Sequence, residues 1–110
     1  MTPDFFVVAH ARDIGHGRMW CVRLNTHHIL IANIKGTYYA VGGLCTHEDV
    51  SLCTGALQGE TVKCPLHGSR FSVRTGAVLD GPAEDALMVY PVRVEGDDIL
   101  ISLQTEAGCL

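Results

Sequence analysis

Two cysteines and two histidines stand two and two: Cys45 and His47 in "CTH", and Cys64 and His67 in "CPLH", with sixteen residues between His47 and Cys64. Thiolate and imidazole are the soft and borderline ligands of zinc and iron, so metal binding is the first chemistry this spacing suggests. Tetrahedral zinc is one occupant, although zinc modules usually pair Cys with Cys and His with His across a hairpin and a helix. Here each segment supplies one of each. That grouping suits a two-iron cluster in which one iron takes two thiolates and the other two imidazoles.

Such a site needs two loops held face to face. Gly42 and Gly43 precede "LCTH" and Gly68 follows "CPLH", which places both pairs in glycine-bearing loops between strands. The strands show as runs of period two: Trp20, Val22 and Leu24; Tyr39 and Val41; Ile99, Ile101 and Leu103. Turn signals fall between them at Asn25, Lys35, Gly59, Thr75 and Gly96, and no long helical period appears. The pattern predicts an all-β fold, an antiparallel sandwich or barrel, with Pro91 at an edge or bulge because proline cannot donate to a central ladder.

A chain of 110 residues suits one compact domain, and its formal net charge of −4 argues against a nucleic-acid partner, which needs a basic face. No apolar stretch approaches the roughly 18 residues of a membrane span, so no membrane is expected. The start "MTPDFFVVAHARD" lacks the basic region and cleavage site of a signal peptide, so the expected location is the cytoplasm. Five cysteines, an odd number in a chain without an export signal, read as thiols or metal ligands rather than a disulfide framework. Cys21 reads as a small buried hydrophobe in a strand, Cys53 as a packing residue and Cys109 as a loose-end thiol. His10, His16, His27 and His28 have no partner at ligand spacing, and His27 with His28 reads as hairpin decoration. Trp20, Tyr38 and Tyr39 read as core and strand residues.

The stretch "CTHEDVSLCTGALQGETVKCPLHGSRFSVRTGAVLDGPAE" resembles the Rieske domain, and nearly the whole chain has the length of a stand-alone Rieske ferredoxin. The resemblance implies a Rieske-like fold, residues 1–110 as one domain, with a cluster-binding subdomain of two loops at about 43–82. It implies one 2Fe-2S cluster per chain, Cys45 and Cys64 on one iron, His47 and His67 on the other. Pro65 and Gly68 would shape the second loop, and Gly81, Pro82 and Ala83 resemble the family's third loop, which covers the cluster.

High-potential members carry an extra cysteine in each loop, joined as a disulfide, at positions that here are Val50 and Leu66. They also place a serine and a tyrosine after the second loop, to bond a bridging sulfide and a cysteine sulfur. Ser69 matches the first; Phe71 replaces the second and implies a lower potential. Ser69 is expected to raise the potential only modestly, with Arg70 and solvent competing for its hydroxyl. The best match is the ferredoxin component of bacterial aromatic ring-hydroxylating dioxygenase systems. It implies a monomeric one-electron carrier, not an enzyme, passing electrons from an NAD(P)H-dependent ferredoxin reductase to a terminal oxygenase. Glu48, Asp49 and Arg70 would form a charged docking rim. The alternatives are the Rieske-type small subunit of a nitrite reductase and a zinc-stapled binding module.

Overall fold

A computed structural model describes residues 4–47, 49–66 and 68–103. Eleven strands appear among them: β1 (Phe6–His10), β2 (Met19–Leu24), β3 (His27–Ile34), β4 (Thr37–Gly42), β5 (Ala56–Gln58), β6 (Thr61–Lys63), β7 (Arg70–Ser72), β8 (Val78–Asp80), β9 (Val89–Tyr90), β10 (Val92–Glu95) and β11 (Asp98–Ile101). The only helical turns among the described residues are short 3-10 turns at Ala11–Asp13 and Leu52–Thr54. The fold is all-β, as the period-two runs predict.

The strands form three antiparallel sheets, ordered β1-β11-β10, β2-β3-β4-β9 and β5-β6-β7-β8. Two-residue turns close four hairpins, because the last ladder pairs are Leu24 with His27, Ile34 with Thr37, Gln58 with Thr61 and Glu95 with Asp98. Lys35 and Gly36 both have positive φ (54° and 89°), the backbone of the tight turn whose twist matches its flanking strands. Pro91 breaks the strand between β9 and β10 and hands the chain from the edge of one sheet to the edge of another.

The middle sheet is covered on both faces. Leu30, Ala32, Ile34 and Val41 face a core shared with Leu52, Val62, Phe71, Val73, Cys45 and Cys64. Ile29, Ile31, Ala40 and Tyr90 face the opposite core with Ile99 and Ile101 of β11. Adjacent residues of β3 thus enter different cores, as alternation along a strand requires. Each fully buried Leu, Ile or Phe side chain contributes roughly 1.5–3 kcal/mol. Asn33, buried on the same strand, donates from Nδ2 to the Ile14 carbonyl at 2.8 Å and accepts from the Gly36 amide at 2.8 Å, so its amide is satisfied.

The expectations for Trp20, Cys21 and Cys53 fail. Trp20 lies on β2 but is 42% exposed, because β2 is the sheet edge and Trp20 stands at its margin. Cys21 is neither buried nor a lone thiol: it is exposed and forms a disulfide with Cys53, 32 residues away, with a Cα–Cα distance of 6.1 Å. Sequence spacing gives no hint of this pairing, since it depends on how the first loop folds back over the sheet.

Candidate metal centre

The first loop leaves β4 at Gly43 and returns through the turn at Leu52–Thr54. Backbone bonds from Leu52 N to Gly43 O and from Cys45 N to Val50 O, both 2.8 Å, close it, and Leu44 bridges Ser51. The Asp49 amide donates to the Cys45 carbonyl at 2.8 Å, with Asp49 at φ 54°. Gly43 eases a close approach: a Cβ there would sit a tight 3.3 Å from the backbone of His28 and Ile29. The second loop joins β6 to β7, and its base is closed by Cys64 N donating to Ser69 O at 2.8 Å.

Both loops feed their cysteines inward. Cys45 is 0% and Cys64 1% exposed, and the two belong to one apolar core with Leu52, Val62 and Phe71. His47, two residues on, is exposed, as are Pro65 and Leu66 on the second loop. Among the described residues no group of three or more His, Cys, Asp or Glu side chains is gathered in a metal-holding arrangement. His67, the fourth expected ligand, and Glu48, part of the expected rim, lie outside the described residues. Two buried thiols and an exposed imidazole are donor types that would fit an iron-sulfur cluster held between the two loops.

The segment after β8 binds to both loops. Ser69 Oγ accepts from the Ala83 amide at 2.9 Å, and Thr46 Oγ1 donates to the Asp85 carbonyl at 2.6 Å. Thr46 carries no signal in the sequence beyond its place between two expected ligands. Ser69 is 0% exposed, so solvent does not compete for its hydroxyl, and Arg70 turns instead to Asp80 at 3.7 Å. The competition expected of Arg70 and solvent is therefore absent; the Ala83 amide holds that oxygen.

His27 is not mere hairpin decoration. Its Nδ1 lies 3.1 Å from the Tyr90 hydroxyl and the two rings meet edge to face. Burial pushes the Tyr90 phenol above its ordinary value, because the charged form would be desolvated.

Known proteins of this shape and sequence bear on the reading. The family described as the Rieske [2Fe-2S] domain matches residues 4–91. The chain is 42% identical over 93 residues to the 3-phenylpropionate/cinnamic acid dioxygenase ferredoxin subunit of Shigella boydii serotype 4, covering 83% of this chain and 86% of that one. It is 33% identical over 104 residues to the ferredoxin component of naphthalene 1,2-dioxygenase/salicylate 5-hydroxylase systems of a Ralstonia species, covering 94% and 100%. A chain from a complex of reduced oxygenase and oxidized ferredoxin in carbazole 1,9a-dioxygenase superposes with a TM-score of 0.84 at 29% identity, over 89% of this chain and 92% of that one. Three antiparallel sheets, two loops that bury a cysteine each, and these matches agree on one conclusion: the chain belongs to the Rieske [2Fe-2S] family and its cofactor is a Rieske-type 2Fe-2S cluster.

Proposed function

We propose that this chain is the ferredoxin of an aromatic ring-hydroxylating dioxygenase system, carrying single electrons from an NAD(P)H-dependent reductase to the terminal oxygenase. It is a carrier and not the catalyst. The proposed ligands are Cys45 and Cys64 to one iron and His47 and His67 to the other, within a single domain whose cluster-binding part spans about 43–82. The relatives' names support the carrier role, and the family match supports a cluster of this type. The proposed location is the cytoplasm; among the described residues no helix is long and apolar enough to cross a membrane.

One observation carries the reading: the two thiols are buried while His47 is exposed. The bound cluster supplies a one-electron centre whose potential lies above that of an all-cysteine cluster, because two neutral imidazoles replace two thiolates. The protein's own part is positional. Leu52, Val62 and Phe71 keep water from the sulfur side, and the exposed His47 edge gives a partner a short path for the electron.

The test is the purified protein. Iron and acid-labile sulfide in equal amounts, a red-brown colour, and loss of both in Cys45→Ala, His47→Ala, Cys64→Ala and His67→Ala are expected. With reductase and oxygenase added, product should form only with the intact chain. A colourless protein holding one zinc ion overturns the reading.

A further inference from the structure

The bond between Cys21 and Cys53 joins β2 to the 3-10 turn at Leu52–Thr54, two parts of the chain far apart in sequence. In the ladder of the middle sheet Cys21 lies opposite Leu30, and Leu30 opposite Val41. Directly opposed residues share a face, so Cys21 stands on the side that Leu30 and Val41 present to the cysteine-bearing loops, at the open margin of that face. Cys53 sits in the 3-10 turn that ends the first loop, directly after buried Leu52, with its amide 3.3 Å from the Ser51 hydroxyl. The loop's first leg is fastened to β3 by Gly43 N donating to His28 O at 2.8 Å. Its second leg is fastened to β2 by the disulfide. The segment that bears Cys45 and His47 is thereby tied at both ends to the same sheet.

This bond is placed for chemistry. Cys21 is exposed and lies on an edge strand, Cys53 is half-buried, and neither is among the proposed iron ligands. In a reducing compartment a protein disulfide that forms at all is usually a transient or sensing one. We propose that Cys21–Cys53 is a thiol–disulfide exchange site, and that opening it loosens the first loop and hastens loss of the cluster. The proposal rests on the cluster and cytoplasmic readings above.

A thiolate of a dithiol reductant, small-molecule or CxxC protein, attacks the exposed Cys21 sulfur; the bond to Cys53 breaks and Cys53 leaves as a thiolate that takes up a proton. The reductant's second thiol attacks the mixed disulfide, releasing Cys21. The protein gains two electrons and two protons, and the dithiol becomes a disulfide. A small-molecule disulfide such as oxidised glutathione reverses the exchange.

The experiment uses the cluster-bearing protein. Thiols are alkylated and mapped by mass spectrometry before and after dithiothreitol, and iron release to a coloured chelator is timed in parallel. Cys21 and Cys53 are expected to resist alkylation until reductant is added, and iron release then to quicken about fivefold. The Cys21→Ser/Cys53→Ser variant should release iron at the reduced wild-type rate with or without dithiothreitol, which separates opening of the bond from chelation by the reagent. Alkylation of both cysteines without reductant, or a release rate that dithiothreitol does not change in the wild type, overturns the proposal. If the protein carries no 2Fe-2S cluster, the reading under Proposed function fails. The clasp is then judged by thiol mapping and by amide exchange across residues 43–55, which must rise on reduction; no rise overturns it independently.

Discussion

Ser69 accepts a hydrogen bond from the Ala83 amide at 2.9 Å, and both residues are buried, Ser69 at 0% and Ala83 at 3% exposure. This single bond fastens the second loop to the segment after β8. Ser69→Ala leaves a buried amide without its acceptor, a loss of about 1–3 kcal/mol. Chemical denaturation of the two proteins measures it. A redox titration run alongside shows whether the hydroxyl also acts on the cluster, and an unchanged midpoint assigns the serine a purely structural part.

Phe71 is fully buried in the core that holds Cys45 and Cys64. Phe71→Tyr adds a hydroxyl there. If it bonds a cluster-side sulfur and favours the reduced form by about 1.4 kcal/mol, the one-electron midpoint rises by roughly 60 mV. That rise is the expected outcome of a redox titration. A lower melting temperature with no change of potential would mean that the ring edge points elsewhere.

Gly76 has φ +76°, and a Cβ on it would run into the Leu87 carbonyl oxygen and press on Val89. Its carbonyl also accepts from the Leu87 amide at 2.8 Å, so the neighbour cannot retreat without losing that bond. Gly76→Ala should therefore destabilise by about 2–4 kcal/mol, read from denaturant midpoints.

Tyr90 titrates above its ordinary value of 10.0 in the folded chain because burial disfavours the phenolate. A raised pKa gives stability that is complete below pH 10.0 and lost as pH climbs through the native value. The difference in unfolding free energy between wild type and Tyr90→Phe should narrow from about pH 8 to about pH 11, since only the wild type has a phenol to ionise. At the lower pH the variant should be weaker by about 0.5–1.5 kcal/mol, having lost the contact with His27. A gap that stays constant across the range would contradict the assignment.

Much of this was legible from residue order alone. Asn25, Gly59 and Gly96 announce the tight turns because asparagine and glycine accept the positive φ found there, and Gly36 marks the turn that begins at Lys35. The alternation of β2, β4 and β11 announces strands, whereas β3, apolar on both faces, shows none; the spacing of Cys45, His47, Cys64 and His67 suggests the proposed ligand set. What stayed hidden is long-range. Cys21 meets Cys53 only after the first loop closes over the sheet, and Ser69 finds Ala83 at a sequence separation of 14. Trp20 misled because alternation says which residues share a face, and not whether anything covers the margin of that face. His27 misled similarly, since its partner Tyr90 is 63 residues distant.

Strand β3 is the common wall of two interiors, with Leu30 and Ala32 on one side and Ile29 and Ile31 on the other. The hairpin it makes with β4 therefore counts in twos. One residue inserted or deleted within β3 would send each set into its neighbour's compartment and turn the exit toward Gly43 by half a pleat. Two residues would restore both sides at once. Length changes in natural variants should thus come as even numbers in this hairpin, and singly only beyond the sheet, where parity has no meaning.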